Sequence, residues 1–99
     1  MPYAVVEDVP ASWERYAPIA AMLEPVPAGL LLHVAGPTDE GFRIIEIWES
    51  EAAWHAFSRG RNVFDALDPD LPIEPTRRTV RATHVVAGPI DRAPRQTTS

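Results

Sequence analysis

Gly29–Phe57 reads GLLLHVAGPTDEGFRIIEIWESEAAWHAF, and this stretch decides the fold. Leu30 to Val34 is an apolar run of strand length, opened by Gly29 after a Pro-rich segment. Gly36, Pro37, Thr38, Asp39, Glu40 and Gly41 are turn residues packed together. Phe42 to Trp48 is a second β-rich run, so the two runs read as a hairpin about a short Gly-bounded turn. Ser50 then supplies an N-cap and Glu51 a negative charge in the first turn of a helix. With Thr38-Asp39-Glu40-Gly41 as the turn, Pro37 pairs with Phe42, and the same count sets His33 opposite Glu46.

Outward from the hairpin, Pro2–Val9 is a short β-rich run closed by Pro10. Ser12 caps a helix bearing Trp13, Tyr16, Ala17, Ala20 and Leu23 along one face. Pro18 inside that pattern predicts a kink, or a short first turn with the main helix starting at Pro18. Glu24 to Gly29 (EPVPAG) cannot be helical and connects to the hairpin. Beyond the second helix, with Ala53, Trp54 and Phe57 on one side, Arg61–Leu67 reads as a further turn or two. Asp68–Pro72 reads as loop, and Arg77 or Arg78 to Val86 as a last strand. Residues 1–88 form a single domain, and 89–99 form a C-terminal tail expected to be mobile.

The order strand, helix, strand, strand, helix, strand predicts an α+β protein of the ferredoxin-like split βαβ type. Such a fold has a four-stranded antiparallel sheet with both helices on one face. One parity of the hairpin is Leu30, Leu32, Val34, Ile45 and Ile47; the other includes Leu31, His33, Ile44, Glu46 and Trp48. Both parities are mostly apolar, while two helices cover one face only. The uncovered parity therefore calls for a partner, and a homodimer is the simplest supply.

Composition excludes several roles. The chain has 99 residues, 45% hydrophobic and 23% charged, which suits one globular domain. Its net charge of −5 argues against nucleic-acid binding. No apolar run reaches the length of a membrane span and no leader pattern opens the chain, so a cytoplasmic location is expected. There is no cysteine, hence no disulfide or thiolate chemistry. All nine basic residues are arginine, which removes a lysine Schiff base. No metal-ligand cluster or phosphate-cradling loop stands out, and no cofactor is expected.

The run Glu46-Ile47-Trp48-Glu49-Ser50-Glu51-Ala52-Ala53, in this element order, resembles the third-strand-to-second-helix junction of antibiotic biosynthesis monooxygenase-like proteins. These belong to the dimeric α+β barrel superfamily, and HVAGPTDEGFRIIEIWES also resembles small actinobacterial members. The resemblance implies a dimeric barrel with a pocket between sheet and helices. It also implies one of several activities, including cofactor-free quinone-forming oxygenation, polyketide cyclisation, lactone isomerisation and haem degradation. The monooxygenase-like group often carries a histidine on the second helix, about where Phe57 stands; His55 lies two residues earlier. The Asn–Trp–His set of haem-degrading members has no match, since the first strand lacks Asn.

The candidate site lies on the second parity. His33 and Glu46 form an acid–base pair with catalytic potential, or a structural pair satisfying two buried polar groups. Leu31, Ile44, Trp48, Trp54, Phe57 and Tyr16 are the expected walls of a site for a hydrophobic or aromatic small molecule, though large aromatics at these spacings equally make core. His84 is expected on the last strand facing a pocket or, by preference, the dimer seam; Arg43 and Arg81 are expected to bind an anionic substrate group or, more simply, to pair with carboxylates; Glu7, Asp8, Asp65, Asp68 and Asp70 are expected in solvent. Three functions follow: a cofactor-independent monooxygenase-like enzyme on an aromatic or polyketide-like substrate, a cyclase or isomerase using the His–Glu pair, and a non-catalytic ligand-binding dimer.

Overall fold

In Tyr3–Val9 the odd residues Tyr3, Val5, Glu7 and Val9 are buried and the even ones are not, the period of a strand with one face on a core. The structure, a computed structural model, describes residues 1–60 and 75–89. Strand β1 is Tyr3–Val9, followed by a 3-10 turn at Trp13–Tyr16 and helix α1 at Ala17–Ala21. Strands β2 (Leu30–Thr38) and β3 (Gly41–Trp48) make the hairpin, helix α2 spans Glu51–Gly60, and β4 is Thr76–Arg81. The sheet is antiparallel in the order β2-β3-β1-β4, which is the split βαβ arrangement. The further turn read at 61–67, the loop at 68–72 and the tail from 90 onward lie outside the described residues.

Both helices cover the face that carries Tyr3, Val5, Glu7 and Val9 of β1 and Phe42, Ile44, Glu46 and Trp48 of β3. The first cluster gathers Val9, Ile19, Phe42 and Ile44, and the second Tyr3, Val5, Trp48 and Trp54. Phe57 packs against both. Ser50 caps α2 as expected, its Oγ accepting from the Ala53 N–H at 3.1 Å. At the start of the first helix Pro18 occupies the first turn, where its missing N–H is harmless. The preceding 3-10 turn eclipses residues three apart. Trp13 and Tyr16 therefore stack at 4.5 Å, and the fully buried residue of the segment is Ile19, which a uniform α-helical face had left out.

Three expectations need correction. A β-bulge between Leu30 and Leu32 breaks the uniform parity of β2. Leu30 pairs with Trp48 and packs against the second cluster instead of joining the outer face. Leu31 becomes the extra residue and is 58% exposed, outside the two buried clusters. The last strand ends at Arg81, so His84 and Val86 lie beyond it and are exposed. Glu7 is not solvated: it is 1% exposed.

The two-residue Asp39-Glu40 connection leaves Thr38 paired with Gly41 and Pro37 with Phe42. Gly41 also passes close to the end of β1. A Cβ built there would stand 2.1 Å from the Val9 carbonyl oxygen and 2.8 Å from the Ala11 nitrogen, both backbone atoms that cannot swing away. Gly41→Ala is expected to cost about 2–3 kcal/mol in urea unfolding. Gly36→Ala, with nothing within 4 Å, should stay within about 0.5 kcal/mol of the parent.

Candidate functional site

Between the two apolar clusters the sheet carries a polar row. The register sets His33 of β2 opposite Glu46 of β3, as the hairpin count requires. His33 Nδ1 and Glu46 Oε2 are 2.8 Å apart. The other carboxylate oxygen, Oε1, accepts the indole N–H of Trp48 at 3.1 Å. Glu46 is 1% exposed, so these bonds replace its lost hydration. Alternation along β3 sets Glu46 and Trp48 on one face, which is why the indole reaches the carboxylate two residues back.

An ionised carboxylate only accepts, so Nδ1 carries the proton in the neutral ring. That leaves Nε2 as an acceptor, and the hydroxyl of Tyr16 lies 2.5 Å from it. Tyr16 reaches this point because the 3-10 turn sets its ring beside Phe42 and above His33, with centroids 5.9 and 6.0 Å away. Burial first, and then the negative charge of Glu46, push the Tyr16 phenol above its usual range. Tyr16 thus remains a hydroxyl that donates to Nε2. Trp48, Glu46, His33 and Tyr16 form one hydrogen-bonded chain from core to helix.

A second buried pair continues the row. Glu7 of β1 pairs in register with Arg77 of β4. The guanidinium Nε and Nη2 both donate to Glu7 Oε2, at 3.0 and 2.7 Å, and the same guanidinium lies 5.0 Å from the Trp54 ring centroid. Burial drives the Glu7 carboxyl above the usual carboxylate range; Arg77 opposes this, and the Glu46 charge adds to it. Sequence reading missed this pair. The usable signal was the parity of Tyr3, Val5 and Val9, which carries Glu7 inward with them.

The remaining candidates fall on two sides of the sheet. Ile44, Trp48 and Trp54 are buried in the two clusters, and the Phe57 ring packs at a tilt against Trp48, with 5.2 Å between centroids. Phe57 also borders an open cavity of about 540 Å³ between the Pro25–Ala28 segment and α2. His55 is exposed and bonds Glu51 at 3.2 Å, off the polar row. Arg43 pairs with Asp8 at 2.6 Å on the outer side and holds that carboxyl below its usual range, while Arg81 lies 3.7 Å from Glu51. Among the described residues no cluster of three or more His, Cys, Asp or Glu could hold a metal ion, and no helix is long and apolar enough to cross a membrane.

No protein-family model and no curated protein matches the chain. Solved structures do. A variant of SnoaB from Streptomyces nogalater, a cofactor-independent oxygenase, superposes with a TM-score of 0.64 at 12% identity, over 88% of this chain and 98% of that one. A candidate antibiotic biosynthesis monooxygenase from Caulobacter crescentus gives 0.63 at 15% identity, over 84% and 91%. Rv0793 from Mycobacterium tuberculosis gives 0.56 at 17%, over 94% and 99%. The resemblance read from Glu46–Ala53 is thus matched in three dimensions: the chain has the ferredoxin-like α+β fold of antibiotic biosynthesis monooxygenase-like proteins.

The raised Glu7 pKa fixes a sign. A carboxyl whose folded value lies above its unfolded 4.5 stabilises the fold fully below pH 4.5 and loses that contribution as pH rises through the folded value. Urea unfolding across this range is expected to show stability falling with pH in the parent. In Glu7→Gln that component of the fall should be missing.

Proposed function

We propose that the protein is a cofactor-independent monooxygenase-type enzyme acting on a phenolic or enolisable polycyclic aromatic substrate, with His33 as proton acceptor, Glu46 as its orienting carboxylate and Tyr16 as relay. The observation that carries this reading is the continuous chain Glu46–His33–Tyr16, in which Nδ1 bonds the carboxylate and Nε2 faces the phenol. A substrate bound at the Tyr16 oxygen gives up its proton as the phenol passes its own to Nε2. The product is an imidazolium beside an ionised Glu46, a charge pair the buried carboxylate stabilises. The substrate anion is electron-rich and gives two electrons to molecular oxygen, forming a carbon–oxygen bond. The resulting peroxide takes the proton back from His33. Loss of water then leaves a carbonyl, so that a CH₂ group and O₂ become C=O and H₂O. The description of SnoaB as a cofactor-independent oxygenase supports the oxidative half of the reading.

The proton-transfer half serves a cyclase or isomerase equally, with the proton returned to a different atom. Oxygen consumption separates the two. With a tricyclic phenol bearing a doubly activated CH₂, the parent should take up one O₂ per carbonyl formed. His33→Phe and Tyr16→Phe should each lower the rate about 10²-fold or more. Turnover of such a phenol without oxygen uptake would favour the isomerase, and ligand binding without turnover a non-catalytic role.

We further infer that a second copy of the chain covers the outer sheet face. Val6, Leu32, Val34, Ile45, Ile47 and Val80 share that face by register, and Val34, Ile45 and Val80 are 49, 37 and 59% exposed in the single chain. A contiguous patch of this kind is what a two-fold interface buries. Sedimentation equilibrium should give a dimer, and Val34→Asp should give a monomer that keeps its far-UV spectrum. A monomeric parent at micromolar concentration would remove the inference.

A further inference from the structure

Glu7 lies outside the relay, yet it is as deeply buried as Glu46 and occupies the same sheet face. The register sets Glu7 opposite Ile44 and Glu46 opposite Val5, which makes the two carboxylates diagonal neighbours on adjacent strands. Diagonal positions stand roughly 7–8 Å apart, well inside the range of unscreened interaction in a dry interior. Among the described residues, the charged and titratable groups around them come from five places. β4 supplies Arg77, β1 Glu7 and Tyr3, β3 Glu46, β2 His33 and the 3-10 turn Tyr16. Helix α2 turns Trp54 and Phe57 inward and leaves Glu51, His55 and Arg59 outside.

The charges of these two pairs do not cancel while His33 is neutral. Among the described residues, Glu7 and Glu46 ionised contribute two negative charges against the positive charge of Arg77. A single added proton restores balance, and it has two places to go. On His33 it gives two neutral pairs, imidazolium with Glu46 and Arg77 with Glu7. On Glu7 it leaves Arg77 facing Glu46 across the row.

We propose that Glu7, clamped by Arg77, is a positioning residue that competes with His33 for one proton and so sets how strongly the Tyr16–His33–Glu46 relay holds a substrate-derived proton. With Glu7 ionised, the excess negative charge favours uptake by His33. With Glu7 protonated, that attraction is gone and the relay is a weaker acceptor. The site thereby loses its drive toward acid pH through a residue that touches neither substrate nor relay. This inference rests on the reading of His33 as a proton acceptor, but not on oxygen or on any substrate.

The test is a carbon-13 NMR titration of the Glu7 carboxyl in the free protein, in the parent, in Glu46→Gln and in His33→Gln. Glu46→Gln removes a like charge, so the Glu7 midpoint should move to lower pH. His33→Gln removes the competing positive charge, so it should move to higher pH. Opposite shifts establish the competition; a midpoint unchanged in both variants overturns it. If one variant loses its native circular dichroism, the direction of shift in the other decides. A protein that shows the opposite shifts yet oxidises no phenol would lose the oxygenase reading and keep this one.

Discussion

A carboxylate buried to 1% exposure with two directed donors is the constraint around which this small domain is arranged. Glu46 sits in the central part of the sheet, between β1 and β2, where an unpaired ion would be prohibitively costly. Its two oxygens are divided between a neutral partner, the Trp48 indole, and a titratable one, the His33 imidazole. Taking away either partner would leave a buried acceptor unsatisfied, a loss of about 1–3 kcal/mol and more for a charged group. The bulge, the hairpin register and the position of the 3-10 turn can all be understood as conditions on this one group. The register brings His33 across from it, and the bulge lies outside the register-critical stretch, between Leu30 and Leu32.

The core is divided in consequence. Val9, Ile19, Phe42 and Ile44 form one apolar cluster and Tyr3, Val5, Trp48 and Trp54 the other, with Phe57 touching both. Glu7, Glu46, His33 and Arg77 run between them. A polar row of this kind contributes less to stability than apolar packing of the same volume would, because each ion must be desolvated before its partner compensates. Among the described residues, every buried side-chain nitrogen and oxygen nonetheless finds a hydrogen-bond partner. A fully satisfied row in a domain with so little core to spare is consistent with a role in handling protons, which an apolar replacement could not fill.

Much of this was legible in the amino-acid sequence because the deciding features are local. The turn residues Thr38 to Gly41 set the register, and the register alone places His33 against Glu46. Ser50 and Pro18 mark helix starts by mechanisms that need no tertiary information. What escaped was what depends on neighbours distant in the chain. The bulge exchanged the roles of Leu30 and Leu31, since only Trp48 and the second cluster decide which leucine is drawn inward. Ile19 was missed because the 3-10 turn changes the phase of the helix. Glu7 was read as solvated because its compensating charge, Arg77, is 70 residues away in sequence. Tyr16 was legible as a wall of the site, while its bond to His33 Nε2 depends on how the turn packs over the sheet.

Glu46 holds His33 in one tautomer, with the proton on Nδ1 and the lone pair of Nε2 turned to Tyr16. A nitrogen-15 NMR spectrum of the imidazole, recorded where the ring is neutral, tests it directly. His33 should be protonated at Nδ1 and bare at Nε2, and Glu46→Gln should disturb this pattern. A ring protonated at Nε2 in the parent would contradict it.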